Sequence, residues 1–272
     1  MREISGLVPA ADGQTWWALN DSGNPPDLYR LDARGTVQQR VRVLGVRNDD
    51  WEDLAVAPCP QGGGRCLVVG DIGDNLRQRP EVRLVFVPEP AVGDTVVRPR
   101  AVWPLRYADG PRDAEALLVH PRTGTVFVVT KGRQTDAVVY RVPPGGGTAV
   151  RSAILRPGPV PIEDQITGGA ADPTGRWVAL RTYRELWLAT WPDALAGHWR
   201  HVDLGPLAEP QGESVAFGRG GEVRLASEAG VANTPATWSA LRCQLPSGPP
   251  SSSPASGATS RTSPDKSSRG AF

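Results

Sequence analysis

Five times along this chain a polar, mostly acidic residue opens a short apolar run. A Gly-rich or Pro-rich turn follows, then a second apolar run and a polar loop. The openings are Glu3-Ile4-Ser5-Gly6-Leu7, Glu52-Asp53-Leu54-Ala55, Glu115-Ala116-Leu117-Leu118, Gln165-Ile166-Thr167-Gly168-Gly169 and Glu213-Ser214-Val215-Ala216. The first and fourth match almost residue for residue, and successive openings lie 49, 63, 50 and 48 residues apart. A period of this length holding four short strands is the signature of a propeller blade. The expected fold is therefore all-β: a β-propeller over residues 1–245, with five four-stranded blades visible.

The strands fall at regular intervals between turn signals. In the first unit they are expected at Ile4–Pro9, Thr15–Leu19, Leu28–Asp32 and Thr36–Leu44. Unit two reads Leu54–Ala57, Cys66–Val69, Val82–Val87 and Ala101–Tyr107. Unit three reads Ala116–His120, Thr125–Thr130, Val138–Val142 and Ala149–Leu155. Unit four reads Ile166–Ala171, Trp177–Leu180, Leu186–Thr190 and Trp199–Leu204. Unit five has Ser214–Phe217, Val223–Ala226 and Thr237–Gln244 and no fourth strand. An unpaired edge is an aggregation liability. Two arrangements compete: a ring open at one edge, or a late start that has lost an upstream strand, which is the favoured one and would allow a sixth blade.

Composition narrows the function classes. The chain has 272 residues and net charge +1, with arginines interspersed among acids, so a basic nucleic-acid surface is not expected. No apolar run is long enough for a membrane span. Met1-Arg2-Glu3 opens directly on the first repeat without a signal peptide, so the chain as written reads as cytoplasmic, or as extracellular or cell-envelope if an upstream signal has been lost. A monomer is expected. Residues 246–272 are rich in Ser, Pro and Gly, and read as a disordered tail. Cys59 and Cys66 bracket a hairpin tip suited to a local disulfide, against the alternative of three reduced, inert thiols; Cys243 has no partner.

In a propeller the start of each innermost strand shares one face of the disc with the loop between the second and third strands. That places Glu3, Glu52, Glu115, Gln165 and Glu213 on an inner ring, with Asn20, Asp21, Asp71, Asp74, Asn75, Arg77, Lys131, Arg133, Arg181, Tyr183 and Glu228 on the loops above. Carboxylates crowded at a narrow mouth need a cation. It can come from Arg77, Lys131 and Arg181, or from a hard divalent ion held by Asp71, Asp74 and Asn75, for which calcium is the natural choice. The competing reading is structural, with the acids capping strand ends and pinning blades together. There is no G-x-S-x-G, P-loop or dinucleotide fingerprint, and His120, His198 and His201 lie away from the mouth.

Ile4-Ser5-Gly6-Leu7 with Asn20-Asp21-Ser22-Gly23, Asp50-Trp51-Glu52-Asp53-Leu54-Ala55 with Gly70-Asp71-Ile72-Gly73-Asp74-Asn75, and Asp113-Ala114-Glu115-Ala116-Leu117 with Thr130-Lys131 resemble a group of bacterial propeller proteins. These are abundant in actinobacteria, often secreted, and mostly without assigned activity. They are loosely similar to phytase-like and esterase-like propellers. The resemblance implies calcium in an acidic mouth at Glu52, Asp71, Asp74 and Glu115, although Lys131 and Arg181 make this mouth less acidic than a phytase's.

The function expected is binding of a small polar or anionic ligand, with calcium as the candidate cofactor, through Glu3, Asn20, Asp21, Arg77, Lys131, Gln165, Arg181, Tyr183 and Glu213. One alternative is a hydrolase of phosphate or carboxylic esters with Glu52 or Glu115 as general base. The other is a non-catalytic scaffold with a protein partner at the rim.

Overall fold

The computed structural model describes residues 1–132, 137–153, 165–191, 194, 198–230 and 234–243. Alternating and continuous apolar runs form strands, and the turns between them carry Gly at positive φ, as at Gly13, Gly35, Gly124 and Gly175. Blade I holds β1 (Ile4–Pro9), β2 (Trp16–Asn20), β3 (Asp27–Leu31) and β4 (Val37–Val43). Blade II begins with β5 (Trp51–Pro58), β6 (Arg65–Asp71) and β7 (Val82–Pro88). After a short excursion, β8 (Val96–Val97), it finishes with β9 (Ala101–Tyr107). Blade III is β10 (Ala114–Val119), β11 (Val126–Thr130), β12 (Val139–Val142) and β13 (Gly147–Ala153). Blade IV is β14 (Ile166–Ala171), β15 (Trp177–Thr182), β16 (Glu185–Thr190) and β17 (Arg200–Asp203). Blade V is β18 (Gln211–Phe217), β19 (Glu222–Glu228) and β20 (Thr237–Arg242).

The five inner strands β1, β5, β10, β14 and β18 pack in a circle, with β18 directly against β1. Among the described residues the inner circle thus closes with five blades, β18 of blade V lying against β1 of blade I. Blade V keeps three strands among the described residues. Its junction with blade I combines side-chain and backbone contacts: Trp238 meets Trp16 edge-on at 6.2 Å, its Nε1 donates to the Ala33 carbonyl at 3.1 Å, and Ala229 N–H donates to the Arg2 carbonyl at 2.8 Å.

The outer edges carry pairings that the repeat does not predict. β8 runs parallel to β4, so a loop of blade II covers the edge of blade I. β13 runs parallel to β9, joining blades II and III into one eight-stranded sheet. Gly146, at φ 87°, allows this approach, because a Cβ there would lie 2.6 Å from the Pro104 carbonyl oxygen.

Apolar side chains fill the wedges between blades. Trp17, Trp51, Leu54, Leu67 and Val69 are fully buried between blades I and II, and Trp187 between III and IV. Each such tryptophan removes on the order of 200 Å² from water, worth up to roughly 5 kcal/mol. Cys59 and Cys66 form the disulfide across the β5–β6 hairpin, and Cys243 is free. No helix among the described residues is long and apolar enough to cross a membrane. Residues 246–272, expected to be a tail, and Arg133 lie outside the described residues.

Candidate functional site

Every inner strand carries a register break at the same height. It falls between Ile4 and Leu7 in β1, Trp51 and Asp53 in β5, Ala114 and Ala116 in β10, Ile166 and Gly168 in β14, and Gly212 and Ser214 in β18. A bulge inserts one residue and re-aims its side chain. The inserted residues are Glu52, Glu115, Thr167 and Glu213, with Ser5-Gly6 at the corresponding place in β1.

Below the bulges a belt of hydrogen bonds joins the inner strands. Ser5 Oγ donates to the Glu52 carbonyl, Ser214 Oγ to the Ser5 carbonyl, and Thr167 Oγ1 to the Gly212 carbonyl at 2.8 Å. Asp53 closes the centre. Its carboxylate accepts the N–H groups of Leu54 at 2.7 Å, Leu117 at 2.7 Å and Gly169 at 3.3 Å, linking blade II to blades III and IV. Burial pushes its pKa well up against the pull of those three donors.

Above the belt, Glu52, Glu115 and Glu213 are all buried. Lys131, at the end of β11, donates from Nζ to Glu115 Oε1 at 2.6 Å, and Glu115 is also hydrogen-bonded to Glu52. Burial raises all three acids: Glu115 to about 7 in spite of Lys131, and Glu52 and Glu213 well above the ordinary range, with neighbouring carboxylates adding to the effect. Burial disfavours the Lys131 ammonium, but the charge and hydrogen bond of Glu115 prevail and hold it charged.

The loops add further acids. Asp21 and Asp50 join Glu52 in a group whose carboxylate oxygens lie within 4.8 Å of one another. Burial, then the charge of Asp21, lifts Asp50 to about 6. Burial also raises Asp21, and lifts Glu228 to about 7 with help from Asp21 and Glu3. Gly73 seals the side of this group, since a Cβ there would lie 2.2 Å from Glu52 Oε1. Asn20 is buried, and its Oδ1 has no hydrogen-bond partner among the described residues.

Several expected site residues sit elsewhere or are already engaged. Arg181 is fully buried: β15 extends to Thr182 and carries it between blades, where it pairs with Glu209 and donates to the Ser214 carbonyl at 2.8 Å. Arg77 is exposed on the loop after β6, at φ 52°. The Asp71 carboxylate is bound by Arg79 at 2.7 Å and Arg83 at 2.8 Å, and Asp74 accepts the N–H groups of Gln78 and Arg79, both at 2.8 Å. Asn75 is exposed. The three acids that do converge are Asp21, Asp50 and Glu52, so the group of potential ligands differs from Asp71, Asp74 and Asn75.

Glu3 is exposed and accepts from Asn24 Nδ2 at 2.6 Å. Gln165 precedes the bulge of β14 by two residues, and Thr167 holds the place equivalent to Glu52. Tyr183 is half-buried and close enough to Lys131 to influence its charge. The repeat pattern does not single out Asp50 or Arg79, which the structure brings to the group of Asp21 and Glu52 and to Asp71 respectively. The signal for Asp50 was its place in the same acidic run as Glu52.

Fold and site together define a five-bladed β-propeller with a carboxylate-lined channel mouth. No family model matches the sequence, and no curated protein matches it. Among solved structures it is similar to the PQQ-bound aldose sugar dehydrogenase of Streptomyces coelicolor, at 12% identity over 89% of this chain and 94% of that one (TM-score 0.49). It is also similar to Kuenenia stuttgartiensis hydrazine synthase, at 15% identity over 84% of this chain (TM-score 0.44). The present chain spans 56% of that neighbour. A luciferin-regenerating enzyme aligns at 12% identity over 83% of this chain and 84% of the other (TM-score 0.43). At these identities none of them lends this chain a substrate or a cofactor.

Proposed function

We propose that the channel mouth binds a divalent cation, calcium by donor chemistry, and with it a small polar or anionic ligand. The observation that supports this reading is the convergence of Asp21, Asp50 and Glu52. Ligand oxygens on opposite sides of a calcium ion, each about 2.4 Å away, are separated by about 4.8 Å, and the three carboxylates fall within that spread. The amide oxygen of Asn20, next to Asp21 in the chain, is a neutral donor of the kind calcium accepts alongside carboxylates. With an ion in place these acids ionise together, which burial and mutual repulsion otherwise oppose. The ion's open coordination positions and the remaining N–H donors of Lys131 then meet the ligand's oxygens.

Calorimetric titration of chelator-treated protein with calcium chloride tests this. Saturating calcium is expected to stabilise the fold by about 3 kcal/mol at a hundredfold excess over Kd, and Glu52→Gln with Asp50→Asn should abolish the heat. Absence of heat and of any melting shift in the wild type would remove the metal from the account.

A second reading is supported by Glu115, whose carboxyl, lifted to about 7 and bonded to both Lys131 and Glu52, has the proton affinity of a general acid–base near neutrality. On this reading the protein hydrolyses phosphate or carboxylic esters. Turnover of nitrophenyl phosphate or nitrophenyl acetate that Glu115→Gln eliminates would support it; equal turnover by the variant would refute it.

A further inference from the structure

The Asp53 belt divides the channel, and the half beyond it has a different character. There the carboxyl-terminal ends of the inner strands enclose a cavity of about 180 Å³, walled by Leu7, Leu54, Val119, Ala170, Ala216 and Phe217. Three features define what fits. Alanines at positions 170 and 216, where the blades converge, leave room that larger residues would fill. The wall side chains other than Arg65 are apolar, and strand pairing engages the backbone of Leu54 and Ala216. The one charged residue in the lining is Arg65. Its guanidinium pairs with Glu89 and donates to the Pro9 carbonyl, and Glu89 is further fixed by the N–H of Ala11 at 2.8 Å and Nε1 of Trp17 at 3.0 Å. The pair carries no net charge. A guanidinium has five N–H donors, and these bonds leave some of them for an acceptor.

A space of about 180 Å³ between apolar side chains is large enough for a benzene-sized molecule. A charged ligand would lose its hydration here without a counter-charge, because Glu89 already neutralises Arg65. We propose that this end of the channel is a second ligand site, for a neutral single-ring aromatic molecule bearing one hydrogen-bond acceptor, as in a phenol or an aromatic ketone. The ring occupies the wall of Leu7, Leu54 and Phe217, and the acceptor faces Arg65. This site lies across the Asp53 belt from the acidic mouth, its nearest wall residue, Leu54, standing two residues along β5 from Glu52.

Saturation-transfer NMR and calorimetry with acetophenone test the proposal on the full chain. Wild-type protein is expected to bind it, and Ala216→Leu, which fills the cavity, should weaken binding by about tenfold or more, a difference of about 1.4 kcal/mol. Ala170→Val provides a milder filling variant should the first melt early, with the same direction expected. Arg65→Met should reduce affinity for acetophenone but not for benzene. No transfer to acetophenone in the wild type, equal binding by folded filling variants, or tighter binding of benzoate than of acetophenone would overturn it.

Discussion

The carboxylate of Asp53 in blade II accepts the backbone N–H of Leu117 in blade III at 2.7 Å, and the same Oδ2 accepts Gly169 N–H of blade IV at 3.3 Å. One side chain thus ties three blades together. Replacing it with alanine leaves those donors buried without partners, at about 1–3 kcal/mol for each N–H. Asp53→Ala is therefore expected to lose about 3 kcal/mol in urea denaturation, and Asp53→Asn, which keeps one acceptor, less than half of that. A loss below about 1 kcal/mol for the alanine variant would show that the belt does not fix the blades.

The acids at the mouth make stability depend on pH in a defined direction. Folded-state values of about 6 for Asp50 and about 7 for Glu115 and Glu228 lie above the unfolded values of 3.8, 4.5 and 4.5. Between the unfolded and folded values the native state binds more protons, so stability falls as pH rises through that window. Without divalent cations the protein should melt higher near about pH 5 than near about pH 8. Saturating calcium should flatten the slope, and an unchanged slope would exclude binding at these acids.

Lys131 is the cation that Glu115 meets in its buried position. Lys131→Met should cost about 2 kcal/mol near pH 8, where Glu115 would otherwise be ionised, and little near pH 5, where it is protonated in either protein. Thermal melts of both proteins at the two pH values measure the difference. An equal cost at both would mean that the lysine acts through packing alone.

The disulfide between Cys59 and Cys66 closes a loop of eight residues. Chain entropy assigns a crosslink of that span about 2.5 kcal/mol. A Cys59→Ser, Cys66→Ser double variant should lose roughly that amount in urea denaturation, and the wild type should melt lower in reductant.

The strands were legible because each apolar run is bounded by turn residues: β1, β9 and β14 have the limits that the pattern sets. The inner ring was legible only in part. Side chains alternate with period two along a strand, so aligning units on their first polar residue rather than on the bulge shifted Glu3 and Gln165 by two positions without disturbing the apolar alternation. Ser5 and Thr167 hold those places, and their hydroxyls serve the backbone belt. The apolar pattern ends this strand at Leu180 and so places Arg181 in a loop, two residues short of the strand's end at Thr182. In the longer β15 it pairs with Leu186 and its guanidinium turns to Glu209. The parallel pairings of β8 and β13 had no local signal, since they join segments whose neighbours are set by the closed ring.

The pairing of β13 with β9 makes the ring mechanically unequal. Blades II and III share one continuous ladder, whereas blade V, with three strands among the described residues, meets blade I through side-chain packing of Ile4, Leu7 and Trp16 on Ala216, Ala226 and Trp238 and a few hydrogen bonds, without a shared ladder. Opening of the disc at equilibrium should start at the V–I seam, and amide deuteration should reach β20 first and the fused pair last, as a single cooperative unit. The carboxylate mouth draws Glu52 and Glu115 from the fused pair but Asp21 from blade I and Glu213 from blade V, so an ion held by Asp21, Asp50 and Glu52 would tie blade I to the fused pair.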